Sequence, residues 1–291
     1  MANKSLIWVL RFLVVSLGFV GTSIESLTAT SSSSVQNTAI VMAWVVWAVC
    51  SFAVLFLHPV TLTVLRLATP TIGAILVAVA ISDLAQPTNI ISAAIGLAIL
   101  LLSFNGDIGN SFVQASAYGD EKRFLLRPPV ALVAPVTIAA IILITTTIAA
   151  PLLLAAKNFW GCLVCAAFSS LGFWFLARRI HQLSRRWFVF VPAGFVVHDE
   201  TLLGTNMMIR KHDLAAMHLA KKDSQAADLT AVTWGIPLEL GFRQPQDIAL
   251  TSLLARQLKS LNAIHASSVL IAPSRPGAVI RANNKMRKMA K

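Results

Sequence analysis

VALVAPVTIAAIILITTTIAAPLLLAAKNFWGCLVCAAFSSLGFWFLARRIHQLSRRWFVFV, residues 130–191, changes character twice. From 130 to 177 only Lys157 carries a charge. A membrane-spanning helix needs about 20 mostly apolar residues, so 130–154 and 158–177 read as two spans turning at Lys157. Arg178, Arg179, Arg185 and Arg186 then fall within nine residues, and WFVFV opens a run rich in aromatic and β-branched residues. Two spans, a basic collar and a strand-forming segment imply a membrane bundle that continues into a folded domain.

The rest of the chain agrees. Of 291 residues, 56% are hydrophobic and 12% are charged, and the mean hydropathy is +0.73. A soluble domain carries roughly 25% charged residues. Disorder is excluded by the same composition, and a disulfide scaffold by three cysteines. Four more stretches approach span length: 5–24, 38–57, 60–82 and 88–104. Pro59 enforces a tight turn between the second and third. The first reads as a retained span rather than a signal peptide, because Arg11 interrupts it and Leu27-Thr28-Ala29 is a poor cleavage site.

Charge sets the expected orientation. Residues 1–177 hold seven basic and five acidic groups, whereas 178–291 hold seventeen and seven. With six spans, Lys4, the loop cations Lys122, Arg123 and Arg127, and the four collar arginines share one side. Lys157 alone faces the other. The positive-inside rule then places both termini in the cytoplasm of a multi-pass plasma-membrane protein.

Ionisable groups within spans are candidates for function. Arg11 and Arg66 can snorkel to the interface. Alternatively Arg66, four residues before Pro70, faces a polar cavity and pairs with an anion. No acidic residue lies deep in a span, which weakens proton- or cation-coupled transport. Cys162 and Cys165 share one helix face and read as packing groups beside small residues.

The 105–129 loop, NGDIGNSFVQASAYGDEKRFLLRPP, groups Tyr118, Asp120, Glu121, Lys122, Arg123 and Arg127. These could form a site at the cytoplasmic mouth of the bundle. The plainer reading is a solvated interfacial loop, with Arg127 anchored to headgroups and Pro128-Pro129 stiffening the helix start.

In the tail, 187–191 and 195–198 predict a hairpin about Pro192-Ala193-Gly194. Further strands are expected at 207–210, 230–234, 238–242 and 269–272. Asp247 is expected to cap a helix over 247–262 with Ile248, Leu250, Leu253, Leu254, Leu258 and Leu261 at helical spacing. Residues 281–291 read as a basic, disordered end. The expected domains are therefore 1–177, a six-helix all-α transmembrane bundle, and 178–280, a small cytoplasmic α+β domain with an independent core over 185–280. His198, His212 and His218 lie among carboxylates, but their placement does not enforce convergence on a metal, so no metal or cofactor is expected.

The RWFVFVPAGFVVHD hairpin, the following strands and the helix resemble the bacterial pleckstrin-homology-like domains fused to membrane helices. A strand after the helix departs from that pattern, in which the helix closes the fold. The NG…YGDEKRF…RPP loop together with PSRPGAVI at 273–280 also resembles a family of uncharacterised actinobacterial integral membrane proteins. Neither resemblance implies catalytic residues.

The leading functional reading is a non-enzymatic membrane-anchored module. Its basic tail, through Arg178, Arg179, Arg185, Arg186, Lys221 and Lys222, would bind anionic membrane lipids or a cytoplasmic or membrane protein partner. Nucleic acid is not expected, because aromatics do not interleave with the basic residues. The alternative is a small-molecule or ion transporter with a path through the bundle. A membrane enzyme using the 118–123 loop is the third possibility.

Overall fold

A computed structural model describes residues 4–20 and 27–289. The far end of the first expected span, Glu25 and the last two residues of the basic end lie outside these. The chain divides into two compact units.

The helical unit comprises the chain to Phe112 together with Val136–His181. Its helices are α1 (Lys4–Leu17), α2 (Ser33–Leu55), α3 (Pro59–Ser82), α4 (Pro87–Ser103), α5 (Gly106–Ala115), α6 (Val130–Ala155), α7 (Phe159–Gly172) and α8 (Arg178–Ser184). A π-helical turn, Phe173–Ala177, joins the last two. Among the described residues, four helices are long and apolar enough to cross a membrane: α2, α3, α6 and the continuous Phe159–Ser184. The pair α4–α5, bent by 64°, makes a fifth if it is one broken span. α1, at 14 residues, is shorter than a crossing needs.

Local chemistry places the breaks. Pro59 stands at the start of α3, where His58 accepts from the Val60 N–H and Thr61 Oγ1 accepts from the His58 N–H, a reciprocal cap. Asn105 Oδ1 accepts from the Asp107 N–H at 2.8 Å, starting α5 afresh after α4. Asn158 caps α7 through the Gly161 N–H at 3.0 Å.

α1 and α3 repeat one device. Each carries Val-Leu-Arg with the arginine eighth in the helix: Val9-Leu10-Arg11 and Val64-Leu65-Arg66. Arg11 donates to the Val54 and Leu55 carbonyls at 2.9 and 3.2 Å, at the end of α2. Arg66 donates to the Ser103 carbonyl at 3.1 Å, at the end of α4. The last carbonyls of a helix have no intrahelical donor and carry its negative end. Both arginines therefore close the neighbouring helix.

The second unit comprises Val113–Pro135 and the chain from Gln182 onward. One sheet is the antiparallel meander β1 (Lys122–Leu125), β2 (Trp187–Val191), β3 (Gly194–His198) and β4 (Met207–Arg210). The other has the order β5-β7-β8-β6, from Leu214–Leu219, Leu238–Ala249, Ala263–Ile271 and Ala227–Asp228; β6 runs parallel to β8. α9 (Ser252–Leu258) precedes β8 and α10 (Pro276–Met289) closes the chain. Alternation along β2 to β4 sends Phe188, Phe190, Phe195, Val197, Met207 and Ile209 into a single core with Leu238, Leu240, Val269 and Ile271 of the other sheet. Gly194 is required at the β2–β3 turn, because a Cβ there would collide with the Ile209 carbonyl of β4.

The structure corrects several sequence expectations. The expected division at residue 177 fails for the 105–129 loop, which supplies β1. Residues 230–234 form no strand. The expected helix over 247–262 is half strand: β7 runs to Ala249, paired with β8 as far as Ala249–Ala263, and α9 begins only at Ser252. Ile248 and Leu250 are both buried, so their two-residue spacing expressed a strand face. The basic end is not disordered as far as Met289. It is α10, because Val279, Ile280, Ala282 and Met286 pack on the core. The apolar run 158–177 continues as helix to Ser184, carrying Arg178 and Arg179.

The independent core expected over 185–280 lacks β1, Leu126 and the part of α10 beyond Ile280. A fragment of residues 185–289 is expected to melt well below one in which 113–129 is fused ahead of it through a short Gly/Ser linker. Losing the buried Leu125 and Leu126 alone should cost at least about 3 kcal/mol. Equal melting temperatures by circular dichroism would show that β1 is dispensable.

Candidate functional site

The collar arginines do not act alike. Arg186 is 1% exposed and its partner Asp199 is 2% exposed. Nε donates to Asp199 Oδ1 at 2.8 Å and Nη2 to Oδ2 at 2.6 Å, a two-pronged ion pair. Nη1 donates to the Arg127 carbonyl at 2.7 Å. Asp199 Oδ1 also accepts from the Thr201 and Leu202 N–H groups at 3.1 and 3.2 Å. The Leu126 N–H donates back to the Arg186 carbonyl at 2.9 Å. Arg186 is thus a rivet joining β1's continuation to β2 and β3, and the expectation that it meets headgroups is withdrawn. Hairpin register explains this: Trp187 faces His198, so Arg186 and Asp199 are the next opposed pair.

Arg185 reaches Glu200 at 3.6 Å. Arg178 and Arg179 are exposed on α8, and Lys221 and Lys222 are exposed at the turn after β5. The basic end, expected to be disordered and noted in sequence only as a further run of charge from Lys285, is instead a helix with a basic face. Arg281, Lys285 and Lys288 are exposed there, with Arg287 exposed near the helix end and Arg275 just before the helix, while Val279 and Asn283 are buried on its other side. The clue lay in the spacing of Val279, Ile280, Ala282, Asn283 and Met286, which is helical and apolar-leaning.

The 118–127 residues also separate. Arg123 pairs with Glu121 at 2.8 Å, donates to Ser116 Oγ at 3.1 Å and lies 5.1 Å over the Trp187 ring. Gln114 accepts from the Arg123 N–H and donates to the Glu121 carbonyl, both at 2.9 Å. That side chain covers the outer edge of β1, which would otherwise stay unpaired. Tyr118, Asp120 and Lys122 are exposed around the Gly119 turn. Arg127 is not free for headgroups. Nη1 donates to the Trp234 carbonyl and Nη2 to the Ile236 carbonyl at 2.8 Å. Partial burial pulls its guanidinium below the usual arginine value.

The histidines stay apart. His198 stacks on Trp187 at 5.0 Å with Nδ1 2.7 Å from Asn206 Oδ1, His212 pairs with Asp213 and His218 contacts the Leu219 carbonyl. Among the described residues no three His, Cys, Asp or Glu come together as a metal site would need. In the helical unit Arg66 spends its Nε on Ser103 and lies 5.6 Å over the Phe104 ring, a structural rather than an anion-binding posture. Cys162 and Cys165 are free and half-buried.

Breaking a buried ion pair by removing one partner costs about 3–5 kcal/mol. Asp199→Ala in the full chain is therefore expected to lower the unfolding temperature sharply, whereas Arg186→Met with Asp199→Leu recovers most of it. Lys221→Gln with Lys222→Gln, both exposed, is expected to leave it unchanged. A melt of Asp199→Ala indistinguishable from the parent would deny the rivet.

No family model, no curated protein and no solved structure matches the chain.

Proposed function

We propose that the chain is a non-enzymatic, multi-pass plasma-membrane protein that holds a basic domain against the inner leaflet, where the domain binds anionic lipid headgroups. One observation carries this reading. β1 precedes α6, β2 follows α8, and the two are paired residue by residue from Lys122–Phe190 to Leu125–Trp187. Both flanks of the α6–α7 hairpin therefore lie on the same side of the membrane. The domain is tied to the bilayer where the chain leaves for α6 and where it returns from α8.

The apolar run 5–24 supports counting α1 as a crossing, which with the bent α4–α5 pair gives six spans and both termini on the basic side. Positive-inside bias makes that side cytoplasmic. Two sheets over one core with a closing helix, α10, support the pleckstrin-homology-like reading of the domain. Supplying β1 from ahead of a membrane hairpin is this chain's departure from that plan. Membership of the uncharacterised actinobacterial membrane-protein family remains part of the proposal and adds no activity to it.

The cations available for lipid are those the structure leaves exposed: the α10 face, Arg178 and Arg179, and Lys221 and Lys222. Each basic group near an anionic surface gains roughly 1 kcal/mol within a Debye length of about 8 Å. A transporter is less favoured, because Arg11 and Arg66 are engaged with helix-end carbonyls. An enzyme acting through the 118–123 loop is less favoured, because Glu121 and Arg123 neutralise each other.

Full-length protein in mixed nanodiscs is expected to retain phosphatidylglycerol over phosphatidylcholine in native mass spectrometry. Arg281→Gln, Lys285→Gln, Arg287→Gln and Lys288→Gln together should reduce that preference at least about tenfold, given the per-charge gain above, and added salt should reduce it too. Equal retention of both lipids would remove the lipid reading and leave a protein partner.

A further inference from the structure

The segment between β6 and β7 has no place in the lipid-headgroup reading, and it has an unusual conformation. Ala231 and Val232 adopt φ of 52° and 64°, and Gly235 a φ of 74°. A β-branched residue in the left-handed region is strained and persists only where its surroundings impose it. They do so here. Asp228 Oδ1 accepts from the Thr230 N–H at 2.8 Å and from its hydroxyl at 2.6 Å. Arg127 holds the Trp234 and Ile236 carbonyls. The Ala220 N–H donates to the Pro237 carbonyl at 3.0 Å. A Cβ on Gly235 would meet Arg127 Nη1 at 2.5 Å, so the clasp needs glycine as well.

This clasp turns apolar side chains outward. Val232 is 55% exposed, Trp234 48% and Ile236 57%. Three large apolar groups on a rigid five-residue stretch are poorly matched to water. A further bond fixes where they are. The Val130 N–H donates to the Val232 carbonyl at 3.0 Å. Val130 is the first residue of α6, a helix long and apolar enough to cross a membrane. The stretch therefore sits beside the start of α6, where Val130 and, one turn on, Val133 are likewise exposed.

We propose that residues 231–236 form a membrane-interfacial anchor, with Val232, Trp234 and Ile236 inserted at the boundary between headgroups and acyl chains of the same leaflet from which α6 departs. Indole rings favour that depth, where one edge is apolar and the other wet. The occupant is lipid rather than protein, because the loop is continuous through Val130 with a lipid-exposed helix. Apolar contact is used, so insertion does not require anionic lipid. The anchor is thus separate from the basic face of α10, and either can fail without the other.

The test uses the full chain with Cys50, Cys162 and Cys165 replaced by alanine, in nanodiscs of neutral phosphatidylcholine. A nitroxide is placed at Ile236→Cys and, as the reference, at Leu261→Cys. Leu261 is 84% exposed and lies just before β8, at the opposite end of the β7–β8 ladder from Leu238. At position 236 the label is expected to be relaxed by oxygen and shielded from an aqueous nickel chelate, with an accessibility ratio about tenfold different from that at 261. Equal nickel accessibility at the two positions overturns the proposal. So does shielding at 236 from both relaxers with spin–spin broadening, which would mean a second copy covers the loop. If Ile236→Cys loses the cooperative melt of the parent, Trp234→Cys reports on the same stretch under the same criteria.

Discussion

Four backbone pairs between β1 and β2 constrain everything else in this molecule. The residues they join are separated in sequence by two spanning helices, yet strand partners lie about 5 Å apart. Only an even number of crossings can intervene. If both helices cross a membrane, as their length and apolar composition allow, the α6–α7 hairpin returns to the face it left. The same pairing makes the C-terminal domain discontinuous. Leu126, with Phe124 packed against the same cluster, enters its core from ahead of the hairpin, and Arg186 donates to the carbonyl of Arg127 from behind it. A bundle and a separate tail would be the natural description without β1. With β1, the domain is assembled from both flanks of the α6–α7 hairpin.

The bundle solves a related problem with arginine. Inside a bilayer, helix-end carbonyls find no water. Arg11 and Arg66 occupy the same step of α1 and α3 and meet the ends of α2 and α4. A charge within a span is usually a pointer to transport. Here the hydrogen bonds assign both charges to holding helices together, and the exposed cations lie on α8 and on the other unit.

Much of this was legible in the sequence. Among the described residues, the apolar runs located the four helices long enough to cross and the bent α4–α5 pair, because spanning length is set by the bilayer, whereas the run 5–24 yielded only the 14-residue α1. A hairpin about Pro192-Ala193-Gly194 was readable because a turn cluster separates two β-rich runs, although the observed turn is one residue shorter, with Gly194 opposite Val191 in the ladder. That one-residue difference sets the register that opposes Arg186 to Asp199, and four arginines after a span had looked like a topology mark. Three elements were hidden. β1 is four residues, two of them basic, and becomes a strand only because β2 offers an edge and Gln114 closes the other. The helical spacing from Ile248 to Leu261 mixed a strand end with a short helix, and pairing with β8 decided the boundary. α10 was concealed by its charges, since the apolar face that holds it needs a core assembled from residues far away in sequence. The clasp of Arg127 on 234–236 could not be read at all, because it depends on a loop whose backbone is left-handed at two non-glycine positions.

The most direct test of the β1–β2 pairing is a crosslink across the hairpin. Arg123 and Val189 are register partners, at a separation a disulfide can bridge. Arg123→Cys and Val189→Cys are introduced into the full chain lacking its native cysteines, with a protease site inserted beside Lys157. After oxidation in the membrane and cleavage, non-reducing electrophoresis is expected to show the two halves still joined, and to separate them only on reduction. Halves that separate without reductant, while a Val189→Cys, Val196→Cys pair across β2 and β3 oxidises normally, would contradict the strand pairing on which the account rests.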